Sequence, residues 1–336
     1  MVKTLIRLPN WIGDAVMATP AVRLLAERCG EEGISIWGPP QTAGLFHHFP
    51  GVSRVFELDE KKEPARIEEI RSSGYDRVFL LTNSYSTAKA AKQAGIAERI
   101  GYRRQWRGPL LTRPVPCGPR TRALHMVDYY LHLLPKEWRR PPLDRQPSLY
   151  CSEEDLEACR KRIETQRKSV ADKNVAFTPG AAFGTAKQWF PENYRALASA
   201  LGKEGHFLVL FGSENDRELG DFILGDAPKD GRLNLAGKTN LRELMATISL
   251  CDCLVTNDSG PMHIADAVGT PAVAFFGSTD SNWTGPQATH HRVLQADVAC
   301  NPCFLRECPL NRECMMSLGV PSALEAVRAI LTDSAR

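Results

Sequence analysis

The run CLVTNDSGPMHIADAVGTPAVAFF, residues 253–276, decides the fold class. Residues 253–256 are a short apolar run. Asn257-Asp258-Ser259-Gly260 is a polar link, residues 261–268 carry helical spacing, and residues 271–276 are a second apolar run. Strand, short helix and strand in that order predict a parallel βαβ unit. Pro261 suits the first helical position, and Ser259 or Gly260 the cap before it.

The same alternation continues outward. Strands are expected over residues 174–178, 206–211 and 233–236, with helices over 191–203, 215–224, 241–250 and 322–331. In the front half, apolar runs at 3–8, 34–37, 52–58 and 76–81 alternate with helical stretches, the first at 13–29. Residues 100–150 are less regular, rich in Arg and Pro, with one helix expected at 123–134. Both halves therefore read as α/β, doubly wound parallel sheets. A charged segment at 153–170 reads as a helix, and the domain boundary is expected between residues 141 and 174, taken at 160/161. The expected parts are 1–160, 161–320 and a terminal helix, 321–336, packing back toward the first domain.

Length and composition agree. The chain has 336 residues, 43% hydrophobic and 24% charged, which excludes a disordered chain. At roughly 100–200 residues per domain, two domains are expected. No apolar run approaches the roughly 18 residues of a membrane span. The opening apolar stretch is too short for a secretory leader, so a cytoplasmic location is expected. The net charge of +3 hides an asymmetry: residues 1–150 hold 23 Lys+Arg against 15 Asp+Glu. Seven arginines and no acid lie between Arg99 and Arg122. That balance suits an anionic partner, although a merely solvated basic face has the same composition. Of the ten cysteines, Cys300, Cys303, Cys308 and Cys314 cluster as C-x2-C-x4-C-x5-C. This is not a standard zinc spacing, and reduced thiols are expected rather than metal.

The motifs fall where parallel strands end, which is where ligands sit in such sheets. Pro9-Asn10-Trp11-Ile12-Gly13-Asp14 follows the first strand. Gly13 permits a tight turn, and Asp14 in the first helical turn is either a dipole-complementing acid or a general base. Thr178-Pro179-Gly180-Ala181-Ala182-Phe183-Gly184-Thr185-Ala186-Lys187 combines two glycines, hydroxyls and a lysine, a composition that suits phosphate. It is neither a Walker A loop nor GxGxxG. Asn257-Asp258-Ser259-Gly260-Pro261-Met262-His263 offers a second helix-end anion cradle, with Asp258 placed for sugar hydroxyls. Ser213-Glu214 and Gly277-Ser278-Thr279-Asp280 end further strands. Each loop alone also reads as ordinary capping, but four of them at one edge read as a nucleotide-type site.

Together with Val209-Leu210-Phe211-Gly212-Ser213 and Asn234-Leu235-Ala236-Gly237, these motifs resemble the ADP-heptose:lipopolysaccharide heptosyltransferases, nearest to their heptosyltransferase II branch. The resemblance covers nearly the whole chain and implies a GT-B fold, two Rossmann-like domains facing across a cleft. It implies an inverting, metal-independent transfer of L-glycero-D-manno-heptose from ADP-heptose, without cofactor, to the heptosylated inner core of lipopolysaccharide. On that pattern Asp14 is the base and Lys187 stabilises the departing ADP. Gly13, Thr178, Gly180, Thr185, Ser213, Glu214, Asp258, Ser259, Gly260 and His263 contact the donor. Arg103, Arg104, Arg107, Arg120 and Arg122 are candidates to receive the acidic acceptor. The enzyme is then expected to be peripheral on the cytoplasmic face of the inner membrane, with no nucleic-acid partner. Two alternatives stand beside this reading. One is a transferase of the same fold with another donor or acceptor, as in heptosyltransferases I and III; the other is a non-catalytic binder of anionic ligands through the Arg-rich segment.

Overall fold

The structure, a computed structural model, describes residues 2–30, 33–58, 63–139, 142–167 and 173–333. The chain divides into two compact units, Met1–Tyr150 and Cys151–Arg336. The first holds strands β1 (Thr4–Arg7), β2 (Ile34–Gly38), β3 (Val52–Glu57), β4 (Arg77–Leu80), β5 (Glu98–Tyr102) and β6 (Arg113–Val115). They form one sheet in the order β3-β2-β1-β4-β5-β6, every neighbouring pair parallel. The second holds β7 (Asn174–Thr178), β8 (Phe207–Leu210), β9 (Arg232–Asn234), β10 (Cys253–Asn257), β11 (Ala272–Phe276) and β12 (Arg292–Gln295), ordered β12-β11-β10-β7-β8-β9 and again all parallel.

The two orders are the same pattern. Each sheet starts at its centre, adds two strands on one side, then crosses back to add three on the other. The chain reverses direction of growth between β1 and β4, and between β7 and β10, and ligands in such sheets sit in the crevice outside the strand ends at the switch point. The central strands are buried along their whole length, as strands covered on both faces must be. In the second unit, Val175, Phe177, Leu208, Leu210, Val255 and Phe275 meet Tyr194, Leu197 and Leu201 of the helix Pro191–Lys203.

Several expectations change. The helix expected at 13–29 is two, Ile12–Met17 and Thr19–Cys29. Pro20 lacks the N–H that would bond the Val16 carbonyl, and the Thr19 hydroxyl bonds it instead at 2.7 Å. The charged helix is Glu153–Gln166; the rest of the expected span, 168–172, lies outside the described residues. That helix packs on Leu241–Ser249 of the second unit, with the Cys159 thiol on the Glu243 carbonyl and Arg242 on Asp155. A division after residue 160 cuts through it, and the compact units instead meet at Tyr150/Cys151. The terminal helix, Val320–Asp333, buries Ala323, Val327, Ile330 and Leu331 in the second unit's core.

Candidate functional site

In the second unit the loop after β7 and the loop after β10 meet at the switch point. Asn257, the last residue of β10 and fully buried, ties them together. Its carbonyl oxygen accepts from the Trp189 backbone N–H at 2.9 Å and the Tyr194 hydroxyl at 3.1 Å, and its amide donates to the Pro179 carbonyl at 2.7 Å. Trp189 then stacks on Phe275 at 4.2 Å, so the loop carrying Lys187 is anchored in the core at its far end.

Lys187 donates to Asp258 Oδ2 at 2.5 Å, and Thr279, from the loop after β11, donates to the same oxygen at 2.6 Å. The side chains of Lys187 and Asp258 are 13% and 3% exposed, so the pair sits where water screens it little. An ammonium has three donors, and Asp258 takes one. The Lys187 ammonium and the Arg306 guanidinium both lie over the Phe183 ring, 4.9 and 5.3 Å from its centroid. Two cations over one aromatic ring concentrate positive charge at this edge of the sheet. Thr178 and Ser278 each present a buried hydroxyl with no hydrogen-bond partner among the described residues. Most buried hydroxyls in folded proteins have a hydrogen-bond partner, protein or water.

Gly184 shows why a glycine stands in the lysine loop. A Cβ there would lie 2.2 Å from the Arg306 carbonyl oxygen, and that carbonyl accepts the Ala186 N–H at 3.0 Å. Arg312 donates to the carbonyls of Thr185 and Gln188. The cysteine-bearing segment thus clamps the lysine loop, a role its spacing alone did not signal. Among the described residues no group of three or more His, Cys, Asp or Glu is placed to hold a metal. The four cysteines are free thiols, and burial pushes the Cys314 thiol up.

The remaining donor candidates fall on the same edge. Ser259 is the cap residue of Gly260–Val268, extended and without a side-chain cap bond; its hydroxyl lies 3.2 Å from that of Thr256. His263 is buried one turn in. Gly180 approaches Asp216, and Asp216 bonds both the N–H and the hydroxyl of Ser213, closing a capping box. Glu214 pairs with Arg217 and lies over Gly237, where a Cβ would meet the Glu214 carboxylate at 2.0 Å.

In the first unit, Asp14 stands in the first turn of Ile12–Met17, just beyond β1, next to Gly13. The Tyr130 hydroxyl, from the helix Met126–His132, donates to Asp14 Oδ1 at 2.9 Å. Burial, and then the Asp14 charge, hold the Tyr130 phenol well above its ordinary range, so it stays protonated and donates. No motif in the sequence points to Tyr130; it arrives through helix packing. Arg103, Arg120 and Arg122 are exposed on the loops after β5 and β6, and Arg104 is half-buried there. Arg107 departs from the expected acceptor set. It is fully enclosed, its Nε donates to the Tyr102 carbonyl at 2.9 Å, and burial lowers its pKa to about 10. It props the turn from inside rather than facing an acceptor.

Two doubly wound units with anion-suited loops at a switch point describe a GT-B glycosyltransferase, and a solved structure of that class, E. coli ADP-heptose lps heptosyltransferase II, matches with a TM-score of 0.85. It is 28% identical and both chains are covered completely. The family model for glycosyltransferase family 9 (heptosyltransferase) matches residues 65–313, and the chain belongs to that family. Lipopolysaccharide heptosyltransferase 2 of Escherichia coli K12 is 32% identical over 306 residues, covering 87% of this chain and 88% of its own. Lipooligosaccharide heptosyltransferase 2 of Haemophilus influenzae is 31% identical over 310 residues, covering 86% and 88%.

Proposed function

We propose that this heptosyltransferase moves L-glycero-D-manno-heptose from ADP-heptose to the heptosylated inner core of lipopolysaccharide, with inversion at the transferred carbon. The names of its relatives support the donor and acceptor classes. The observation that carries the mechanism is the Lys187–Asp258–Thr279 constellation. Asp258 aims the ammonium, and the ammonium meets the charge that grows on the ADP oxygen as the glycosidic bond breaks. Such a fixed cation is worth about 3–4 kcal/mol of barrier. Thr178, Gly180, Thr185, Ser259, Gly260 and His263 line the donor, with Ser213 and Glu214 toward the adenosine.

Asp14 takes the proton of the acceptor hydroxyl as that oxygen attacks. Tyr130 holds the carboxylate in one orientation. Arg103, Arg104, Arg120 and Arg122 receive the acidic groups of the acceptor, bidentate where a phosphate or carboxylate allows. The enzyme works at the cytoplasmic face of the inner membrane; among the described residues no helix is long and apolar enough to cross a bilayer.

The test is transfer from ADP-heptose to a defined inner-core acceptor, with Asp14→Asn beside the wild type. Asp14→Asn is expected to lose turnover by about a hundredfold or more while binding ADP as before. Transfer from another sugar nucleotide in preference to ADP-heptose removes the donor assignment. Full turnover by Asp14→Asn removes the base.

A further inference from the structure

Trp106 is 94% exposed, the most exposed large apolar side chain among the described residues. It stands at the tip of the turn between β5 and β6, and its backbone is unusual. Gln105 and Trp106 both have positive φ, 48° and 59°. The Arg107 N–H closes the turn on the Arg104 carbonyl at 3.1 Å. Two positive φ angles in a row are the geometry in which Asn-Gly is customary, and neither Gln nor Trp adopts it without strain. The enclosed Arg107, bonded to the Tyr102 carbonyl, keeps the turn in that shape from beneath. A strained turn that pushes an indole into solvent contributes nothing to the core. Strain held in a turn clusters at ligand clamps and contact sites.

The surroundings say what kind of surface that is. Arg103 and Arg104 flank the turn, and Arg120 and Arg122 lie on the segment beyond β6, at the same carboxyl edge of the sheet. No acidic residue occurs between Arg99 and Arg122. An indole with an apolar body and a polar N–H is at home in the headgroup layer of a bilayer, and arginines around it are drawn to anionic lipid. Apolar insertion and basic attraction together make the two signals that stable peripheral binding needs.

We infer that Trp106 is a membrane-interface wedge that seats the carboxyl edge of the first sheet on an anionic bilayer, with Arg103, Arg104, Arg120 and Arg122 as its electrostatic ring. This rests on the proposed reading that the acceptor is carried on a lipid, and it adds how the enzyme meets that lipid's membrane. An acceptor embedded in the same leaflet then presents its sugars to loops already held at the surface.

The experiment is flotation of the full-length protein with vesicles of mixed phosphatidylglycerol and phosphatidylcholine, and with vesicles of phosphatidylcholine alone. The wild type is expected to float with the mixed vesicles, less so as salt rises, and not with the neutral ones. Trp106→Ala removes no packed side chain, so its fold is expected to be unchanged by circular dichroism. It is expected to bind the mixed vesicles about tenfold or more weakly. It should transfer heptose normally to a soluble, delipidated acceptor and poorly to acceptor in vesicles. Equal flotation of Trp106→Ala and wild type, or no flotation of the wild type, overturns the inference; in the second case the turn faces a protein instead. Failure of all heptose transfer counts against the proposed function, while the flotation comparison still decides this point.

Discussion

Replacing Lys187 by Met separates two effects that a simple loss of activity would merge. The substitution keeps a stem of similar length and deletes the ammonium. Asp258, 3% exposed at its side chain, is then left with the Thr279 hydroxyl at 2.6 Å as its remaining side-chain donor in that cluster. Removing one partner of a buried ion pair costs about 3–5 kcal/mol, because the stranded charge has lost both water and counterion. For a unit of this size each kcal/mol lowers the midpoint by about 2–4 °C, so Tm should fall by roughly 6–20 °C. Independently, the missing cation should lower kcat by about 10²–10³. Adding Asp258→Asn removes the stranded charge. The double variant should recover most of the lost Tm and none of the lost turnover. Thermal unfolding and initial rates of ADP release at saturating donor read the two quantities on the same preparations. Near wild-type turnover in Lys187→Met, or recovery of turnover in the double variant, would refute the leaving-group role.

Gly184→Ala should force the Arg306 carbonyl away from the lysine loop, since the new Cβ would lie 2.2 Å from it. A shift of about 1 Å in Lys187 is enough to reduce turnover up to a hundredfold, with the ADP dissociation constant read by calorimetry rising alongside. Tyr130→Phe deletes the hydroxyl that holds Asp14 and should lower kcat about tenfold with little change in the donor KM; an unchanged kcat rules out the positioning role. Burial lowers the pKa of His132 and of His290. The unfolded chain therefore binds more protons than the folded one below about pH 6.5, so stability should fall as pH drops through that value toward the depressed folded values. His132→Asn should flatten the decline of Tm between pH 7 and 5, and an unaltered slope contradicts that assignment.

The fold was legible wherever strands are buried on both faces. β7, β8, β10 and β11 are runs of apolar and β-branched residues, and their positions match the expected ones closely. The strands that escaped notice are at or near sheet edges. β5 carries Glu98, Arg99 and Gly101; β6 is three residues around Pro114, tolerable at an edge; and β12 is half-exposed in alternation. The lysine loop and the Asp258 loop could be read from glycine and hydroxyl content. What organises them could not. Arg306 acts on the lysine loop, and Tyr130 on Asp14, through contacts with residues far away in sequence, and such pairings leave no local spacing to detect. Arg107 shows the converse. Composition groups it with the surface arginines, and only the turn geometry shows it enclosed.

The most direct measurement is a crystal structure of the protein with ADP bound. The β-phosphate should sit within hydrogen-bonding reach of the Lys187 ammonium, over the Gly180–Gly184 backbone, with the hydroxyls of Thr178 or Ser278 newly partnered. ADP seated away from Lys187, with the Lys187–Asp258 pair and both hydroxyls unchanged, would contradict the central claim that this switch point holds the donor.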